Sequence, residues 1–563
     1  GELQQLDNFR KLEMYSDPVD APPNAIILRP HWQYAVKRDG QQRSRQCCDG
    51  SKRAAPRLHA LAQTYSACVE KHVQRLFLAV AAKENLMIYS GDASDAYSHA
   101  PPSHIDCYLS IDDQYADWYK KRFDKDIDRR KVIKVQRALQ GHPEAGRLWQ
   151  IHVNDILINR MGFKNTKHDS TIYTRKDGDN VIYLIRQVDD FALACQDEKT
   201  AIDIYDILGS HLKLPTETKV PFKYMGPIDD FNGINIVQSR EYIEISCSKY
   251  IKRVLISHGW ATGSKDEREE AVLSLTTEKP ISPLPTDAIE KMYNDEGPVE
   301  GTPQHTLLAK KYGFKYRTLL GECMFCYTSC RPDIGYSITA LSQFSAHPND
   351  VHFQMLKGLA KYLRKTITWG IRYKRTKPRK DLPTIEYDYT VFPSELPTFP
   401  VDITQPKLIG FVDAAHGNNL RKRRSTTGYV FTYCGGAIIY RSSTQELTTL
   451  SSTEAEFVAA VSAAKTARYI RMILEELFLP ELLPTPIYED NESAIKIINN
   501  NIPTPRTRHM ELRFFAIQDW VDNGTIIMKH IKGILNPSDA MTKPLGWVLH
   551  SRHVRRFMGH FHV

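Results

Sequence analysis

The residues of this sequence best suited to chemistry are carboxylates, and the first set has three members. Asp92 follows a short apolar segment, and Asp189 and Asp190 lie between two apolar arms that span 181–195. The tip of an apolar hairpin normally holds Asn-Gly or Asp-Gly, and two adjacent aspartates there repel each other unless a cation lies between them. The Asp189–Asp190 pair alone would fit an acidic surface turn; together with Asp92 it favours a magnesium site. Two such ions about 4 Å apart can hold both oxygens of a phosphoryl transfer.

A second set of carboxylates lies in the C-terminal third. Asp413 is predicted within a strand, Glu456 on a long helix, Asp490 at a strand end and Asp539 before the last helix. Each lies at an element end or on a face that can meet the others in a layered α/β fold. Such a set can hold two ions that activate water against a phosphodiester.

The elements that must position these carboxylates can be read from hydropathy patterns. Strands are predicted near 86–96 and in a pair over 181–195, with a helix over 144–161 between them. Residues 262–310 and 377–406 are polar and Pro-rich and predict a loop or insertion and an interdomain linker. From 407 onward the order is three strands, helix, strand, helix, strand, helix, which indicates one mixed sheet with helices. The fold class is therefore multidomain, α/β and α+β.

Size and composition narrow the classes of protein. The chain has 563 residues, 42% hydrophobic and 25% charged, as in globular proteins with several domains. Its apolar stretch Leu76–Ala82 is far too short to span a bilayer, so we expect no membrane partner. No charged-then-apolar leader is seen either, so nothing suggests secretion. The ten cysteines are scattered, which favours a reducing compartment. A net charge of +9 suggests a polyanionic partner.

Four motifs give the first carboxylate set a family resemblance. Segment 91–97, Gly-Asp-Ala-Ser-Asp-Ala-Tyr, resembles the first catalytic block of retroviral and retrotransposon reverse transcriptases, and 187–190, Gln-Val-Asp-Asp, resembles their Tyr-x-Asp-Asp block. Segment 138–149 resembles a block typical of Copia-like elements, and 231–236 resembles the Phe-Leu-Gly-Ile block below the primer. The resemblance therefore implies a polymerase site.

The same resemblance implies roles for single residues. The metal ligands would be Asp92, Asp189 and Asp190. Tyr97 would lie under the sugar and reject a 2′-hydroxyl, and Arg45 would grip the incoming triphosphate. Ala93, Asp95 and Glu144 complete the implied nucleotide site.

Two residues depart from the family pattern. Gln187 replaces a tyrosine that contacts the primer end, and Glu144 replaces a glutamine that lies against the incoming nucleotide. A carboxylate beside a triphosphate should weaken nucleotide binding unless a lysine or a metal offsets it. We therefore expect these residues to affect rate and fidelity.

The C-terminal motifs resemble the ribonuclease H of Copia-like LTR retrotransposons over 405–563. The matching segments are 410–415, 424–431, 450–456, 488–496 and 539–544. The match implies that Asp413, Glu456, Asp490 and Asp539 are catalytic metal ligands. Ser451 followed by Glu454 fits a capping box, so Glu454 is interpreted as structural, and so is His530 in an alternating strand.

The resemblance also implies an architecture and a set of partners. It predicts a right-hand polymerase with fingers and palm over 1–240, a thumb with a Pro-rich insertion over 241–310, a helical connection region and linker over 311–404, and ribonuclease H over 405–563. The implied activity is copying RNA into DNA and hydrolysing the RNA of the hybrid. Two Mg²⁺ ions are expected at each site, with Mn²⁺ as a substitute.

The implied partners are an RNA template, a DNA or tRNA primer, an RNA/DNA hybrid and deoxynucleoside triphosphates, with a homodimer left open. Copia-like enzymes work in cytoplasmic virus-like particles, and the basic run 374–380 leaves a nuclear location open. Two alternatives stand beside this interpretation. One is a domesticated nucleic-acid-binding scaffold that kept the fold, and the other is a DNA-templated polymerase with an idle nuclease.

Overall fold

The computed structural model describes residues 1–36, 42–262, 272–273, 282–385, 398–499 and 511–560. These residues form two compact units: Gly1–Val69 with Met87–Ile228, and Glu70–Leu86 with Asp229–Val563. The predicted division into four regions is finer than these two units and stays a prediction. The mixture of sheets and helices in both units confirms the predicted fold class. Within the described ranges, no helix has the length and hydropathy needed to cross a bilayer.

The first unit has three sheets, and elements are numbered in chain order. Its helices are α1 Glu2–Lys11, α2 Pro56–Leu61, α4 Ala96–His99, α5 Asp113–Phe123, α6 Ala145–Asp155 with a π-helical extension Ile156–Arg160, and α7 Glu198–Leu212. Its strands are β1 Ile26–Leu28, β2 Pro30–Val36, β3 Gln42–Cys48, β4 Met87–Ala93, β5 Cys107–Ser110, β6 Val132–Lys134, β7 Lys164–Asn165, β8 Ile172–Asp177, β9 Asn180–Gln187, β10 Asp190–Cys195 and β11 Phe222–Pro227. The sheets have the orders β11-β4-β10-β9-β8-β7, β1-β5-β6 and β2-β3.

The six-stranded sheet positions the first carboxylate set. Strand β4 lies between β10 and β11 and is antiparallel to both, so its residues are held on two sides. Helix α7 packs on this sheet, and the Tyr205 hydroxyl donates to the carbonyl of Tyr89 at 2.9 Å. A Cβ at Gly91 would lie 2.5 Å from the Phe222 ring and 2.9 Å from Tyr205. Residue 91, next to Asp92, must therefore be glycine, because two aromatic rings pack against its backbone too closely to leave room for a side chain.

The second unit contains the remaining elements. Its helices are α3 Lys71–Lys83, α8 Ser248–Ser257, α9 Ala288–Met292, α10 Pro303–Tyr312, α11 Tyr316–Ser329, α12 Gly335–Ser342, α13 Asp350–Lys365, α14 Ser452–Glu476, α15 Glu492–Asn499, α16 Glu511–Asp522 and α17 Trp547–Phe557. Short 3₁₀ helices span Pro332–Ile334, Gly533–Leu535 and Pro537–Met541. Its strands are β12 Asp230–Phe231, β13 Ile234–Gln238, β14 Tyr242–Ser246, β15 Ala261–Thr262, β16 Val272–Leu273, β17 Ile371–Lys374, β18 Ile409–Asn419, β19 Arg424–Tyr433, β20 Gly436–Thr444, β21 Thr485–Glu489 and β22 Ile526–His530.

The C-terminal sheet positions the second carboxylate set. Its order is β20-β19-β18-β21-β22, with β18, β21 and β22 parallel and β18, β19 and β20 antiparallel. This is the one mixed sheet that the sequence predicts, with α14 in the predicted place. The sequence predicts a single helix between β21 and β22, the fourth and fifth strands of this sheet in chain order. The structure has two helices there, α15 and α16, and residues 500–510 between them lie outside the described residues.

Helix α3 is the element that the sequence pattern describes least well. An amphipathic helical stretch over 58–82 is expected, but the structure has two separate helices, α2 and α3. Ten consecutive residues of α3, 73–82, are buried, so its pattern is that of a core helix rather than an amphipathic one. Arg75 is fixed by the carbonyls of Ile438 at 2.8 Å and Thr328 at 2.7 Å. A buried guanidinium thus joins α3 to β20 and α11.

A fully buried ion pair holds the helical region of the second unit. Arg331 and Asp333 have side chains with no exposed surface and lie 2.6 Å apart. The Tyr362 hydroxyl donates to Asp333 at 2.7 Å, and Arg331 donates to the carbonyl of Thr366 at 3.0 Å. Burial alone would raise the pKa of Asp333, but the Arg331 charge and these hydrogen bonds hold it below the ordinary value. The carboxylate therefore stays charged inside the core.

Removing one partner of this pair should be costly. We expect Asp333→Ala to lower the free energy of unfolding by about 3–5 kcal/mol, because it leaves the Arg331 charge buried and unpaired. Urea unfolding followed by circular dichroism measures this change. The exposed pair Arg130–Asp128 gives the control, since Asp128→Ala should leave the unfolding midpoint unchanged. Equal effects of the two substitutions would contradict the assignment.

Candidate active sites

The first carboxylate set meets at the end of the six-stranded sheet. Asp190 lies directly opposite Asp92 in the antiparallel pairing of β10 with β4. The backbone N–H of Ala93 donates to the carbonyl of Asp189 at 2.9 Å, which ties the hairpin tip to β4. The sheet thus brings together all three carboxylates that the sequence assigns to this site.

The turn that presents these aspartates is strained. Gln187 and Asp190 are paired, so Val188 and Asp189 form the two-residue turn. Val188 has φ +57°, a left-handed conformation that costs a side-chain-bearing residue roughly 1–2 kcal/mol. The buried Trp149 indole donates to the Val188 carbonyl at 2.6 Å and holds the turn. The predicted helix over 144–161 therefore positions the Asp189–Asp190 hairpin through one hydrogen bond.

A cavity of about 480 Å³ opens beside this turn. Six of the predicted site residues line it: Arg45, Asp92, Ala93, Asp95, Tyr97 and Asp189. Arg43, which the sequence argument leaves without a role, lines it as well. The cavity therefore combines carboxylates on one wall with two guanidinium groups from β3, as a cation and a phosphate-bearing anion would require.

Charge crowding in the cavity is visible in the pKa values. Burial, first, and the Asp189 carboxylate, second, raise the pKa of Asp92, against the opposing effect of Arg43. Burial and Asp189 also raise the pKa of the Tyr97 phenol, and Arg45 opposes them. A cation at this point would relieve the repulsion, so the carboxylate set fits Mg²⁺ or Mn²⁺.

Glu144 lies outside this cavity. Its side chain is 2% exposed and accepts hydrogen bonds from the Gln63 N–H at 2.8 Å and from the Ser103 hydroxyl. Burial alone would raise the pKa of Glu144, but these bonds lower it. Glu144 is not one of the described residues that line the cavity. The expected contact of Glu144 with the incoming nucleotide stays a prediction. The structure adds that the Glu144 carboxylate fixes the two loops that contain Gln63 and Ser103.

Gln187, the second departure from the family pattern, also has a structural partner. Its side-chain oxygen accepts a hydrogen bond from the backbone N–H of Val69 at 3.0 Å. Residue 69 is the last of its segment in the first unit. Gln187 therefore fixes the chain where it leaves that unit, and its expected contact with a primer end stays a prediction.

The second carboxylate set meets at the C-terminal ends of the parallel strands. Ligand atoms of Asp413, Asp490 and Asp539 lie within 4.8 Å of one another. A second group with the same spacing consists of Glu456, Glu489 and Asp490. All four predicted residues are thus brought together, and Asp490 belongs to both groups.

Glu489 is the residue of this site that the sequence argument misses. It is the last residue of β21, and its side chain is fully buried. Because neighbouring residues of a strand point to opposite faces, assigning Asp490 to the site gives no reason to include Glu489. The signal available in the sequence is a charged residue at a position where the alternation of β21 predicts an apolar one.

The charges of this second site are strongly unbalanced. Burial, first, raises the pKa values of Glu456 and Glu489 well above the ordinary value, and neighbouring carboxylates add to this rise. At Glu489 a hydrogen bond from Glu456 opposes the rise. Burial and the Asp413 carboxylate likewise raise the pKa of Asp539 to about 7. The Lys543 ammonium lies 2.8 Å from Asp539 and 3.7 Å from Asp413. In the described part of the chain, one lysine thus pairs with a group of five carboxyl groups, which favours binding of divalent cations at this site.

Two residues near this site were interpreted as structural. Ser451 accepts from the backbone N–H of Glu454, and the Glu454 carboxylate accepts from the N–H of Leu450 at 2.7 Å. The capping role of Glu454 is confirmed, but its carboxylate accepts from the backbone N–H of Leu450 rather than from that of the N-cap residue, Ser451. His530 ends β22. Burial, first, and the Asp413 carboxylate, second, raise the pKa of Asp490, and His530 is among the groups that oppose this rise. The interpretation of His530 as structural stays a prediction.

Comparison with known proteins agrees with these geometries. Residues 13–265 match the family described as "Reverse transcriptase (RNA-dependent DNA polymerase)". The retrovirus-related Pol polyprotein from transposon TNT 1-94 of Nicotiana tabacum is 25% identical over 547 residues, which cover 96% of this chain and 36% of that protein. The corresponding polyprotein from transposon RE1 of Arabidopsis thaliana is 23% identical over 86% of this chain and 28% of its own length. The chain thus spans about a third of these curated relatives.

A solved structure of a foamy viral protease-reverse transcriptase in complex with double-stranded DNA is similar at 13% identity and a TM-score of 0.46. It covers 94% of this chain and 68% of that one. The sequence relatives are Pol polyproteins of transposons, and the similarity to the TNT 1-94 polyprotein extends over almost the whole chain. Residues 13–265 thus match the reverse transcriptase family, and the chain is similar over almost its whole length to Pol polyproteins of retrotransposons.

Proposed function

We propose that this chain is an RNA-directed DNA polymerase that also hydrolyses the RNA strand of RNA/DNA hybrids. The observation that supports the polymerase activity best is the pairing of Asp92 with Asp190 across β4 and β10, with Asp189 in a cavity that also contains Arg45 and Tyr97. The observation that supports the hydrolytic activity is the buried carboxylate set around Asp413 and Asp490.

The polymerase mechanism follows from the residues that line the cavity. Asp92, Asp189 and Asp190 would hold two Mg²⁺ ions, which lower the pKa of the attacking 3′-hydroxyl and offset the charge of the triphosphate. Arg45 would pair with the phosphate oxygens, because a guanidinium donates two parallel hydrogen bonds to such groups. Tyr97 would pack under the deoxyribose and exclude a 2′-hydroxyl.

The nuclease mechanism uses the same physical principle with a different nucleophile. Asp413, Glu456, Asp490 and Asp539 would hold two divalent ions that lower the pKa of an attacking water. Thr542 donates a hydrogen bond to Asp413, and Lys543 pairs with Asp539, so both carboxylates are held in place before a substrate binds. The proposed substrates are an RNA template with a DNA or tRNA primer, deoxynucleoside triphosphates and the hybrid that forms. The proposed location is a cytoplasmic virus-like particle.

The two activities should be separable by single substitutions. We expect Asp189→Asn to reduce DNA synthesis on the order of 10³-fold and to leave RNA cleavage unchanged, because it removes one anionic ligand from the polymerase site only. Asp413→Asn should do the reverse. Primer extension on a labelled RNA template with Mg²⁺ and deoxynucleotides, with DNA growth and RNA cutting followed together, measures both effects.

The same assay distinguishes the alternatives. Loss of both activities by either single substitution would contradict the assignment of two sites. Extension on a DNA template but not on RNA would indicate a DNA-templated polymerase with an idle nuclease. Binding of the template with neither product, in Mg²⁺ and again in Mn²⁺, would indicate a scaffold without catalysis.

The raised pKa of Asp539 predicts an unusual pH dependence of stability. The folded chain holds this proton with a pKa of about 7, above the value of about 3.9 for an unfolded aspartate. The stabilisation is therefore complete below about pH 4 and is lost as the pH rises through about 7. Without divalent cations, the unfolding temperature should fall between pH 5 and pH 8, as differential scanning calorimetry would measure.

Asp539→Asn is the matched control for this prediction, because the amide is isosteric and does not titrate. Its unfolding temperature should change less than that of the wild-type chain over the same pH interval. Added Mg²⁺ should stabilise the wild-type chain more at pH 8 than at pH 5. An unfolding temperature of the cation-free wild-type chain that rises from pH 5 to pH 8 would contradict the proposed environment of Asp539.

A further inference from the structure

The side chain of Glu489 is fully buried, so its carboxylate has no contact with bulk water. Strand β21 lies inside the C-terminal sheet, between β18 and β22. The N–H of Ile531 donates to the carbonyl of Glu489 at 2.9 Å, and Glu489 is paired with His530 across the strands. The backbone is thus fixed by the sheet, and the fully buried side chain points into the space between the sheet and α14.

Apart from the facing Glu456, the Glu489 carboxylate also has no hydrogen-bond donor in the described part of the chain. Both of its oxygens are buried and have no other partner, and Oε2 of Glu456 is buried and unpartnered. Buried polar groups in folded proteins are nearly always hydrogen-bonded, and a buried charge is paired or binds a metal. Two facing carboxylates without other donors therefore lack a positive charge, which either a proton shared between them or a bound cation would supply.

The geometry of the group favours a cation as that missing charge. Oxygens of Glu456, Glu489 and Asp490 lie within 4.8 Å of one another, and they come from a helix, a strand and the end of that strand. A hard divalent cation takes oxygen ligands from separate rigid elements. Lys543 pairs instead with Asp539 and Asp413 at the other side of Asp490.

We propose that Glu489 is a further ligand of this centre and that, with Glu456 and Asp490, it holds one of the two hard divalent cations proposed for the nuclease site. The centre then has five carboxylate ligands instead of the four that the family resemblance implies. This inference rests on the cation chemistry proposed for the nuclease site, but it concerns binding rather than cleavage. Asp490 is the shared ligand, so a cation in this position and one held by Asp413 and Asp539 would be neighbours.

Binding of Mn²⁺ to the full chain tests the proposal. Electron paramagnetic resonance of free Mn²⁺ gives the binding isotherm of the wild-type chain and of Glu489→Gln. We expect the substitution to remove one bound Mn²⁺ per chain or to weaken one class of sites by roughly tenfold or more. The polymerase carboxylates are identical in both chains, so the difference reports on the C-terminal centre alone.

Glu454→Gln is the matched control, because it makes the same change of charge on α14 at a carboxylate that caps the helix. Its isotherm should agree with that of the wild-type chain within about twofold. If Glu489→Gln gives that same unchanged isotherm, the proposal is wrong, and the two facing carboxylates share a proton instead.

A second variant keeps the proposal testable if Glu489→Gln does not fold. Glu489→Asp retains the charge but shortens the side chain, so Mn²⁺ should raise its unfolding temperature less than that of the wild-type chain. An equal rise would overturn the proposal. Cleavage of a hybrid by the wild-type chain is measured separately. Mn²⁺ binding that depends on Glu489 but without cleavage would contradict the proposed nuclease activity and leave the cation position intact.

Discussion

Repulsion between carboxylates held close together in a poorly solvated space is the interaction on which both sites depend. Two like charges a few ångströms apart inside a protein repel far more strongly than they do in water. The fold must therefore hold them in place by other means. Strands β4, β10, β18 and β21 provide this, because each carboxylate next to them is attached to backbone that is paired on one or both sides. Rigid backbone keeps the charges together until a counter-charge arrives.

The two sites meet this constraint differently. At the first site, the carboxylates lie beside an open cavity. The left-handed backbone of Val188 in the turn is held there by the hydrogen bond from the Trp149 indole. At the second, most of the carboxylates are buried, and Lys543 offsets part of the charge. The first site is thus suited to a large ligand that enters with its own charge. The second is suited to binding cations, because its carboxylates are close together and largely removed from water.

Much of this arrangement could be predicted from the sequence, and the reasons for the exceptions are physical. Motifs and hydropathy placed seven carboxylates on the correct elements, because alternation and turn residues are local properties. The alternation of β21 marks Glu489 as a charged residue at a buried position, but it does not show that this carboxylate faces Glu456, because tertiary packing of α14 on the sheet sets that contact. The partners of Glu144 and Gln187 were missed for the same reason: Ser103 and Val69 are brought to them by tertiary packing. Helix α3 was merged with α2 because its burial on all sides conceals its own boundaries.

The path of the chain through α3 has a consequence for dissecting the molecule. Residues 70–86 belong to the second unit, whereas the segments on both sides belong to the first. A fragment that begins near residue 405 would keep every carboxylate of the second set but lose Arg75, whose guanidinium binds the carbonyl of Ile438 and lies over the Tyr440 ring. The outer strand β20 would then lose its contacts with α3. The gene for this protein therefore cannot be divided by one cut into two self-sufficient halves.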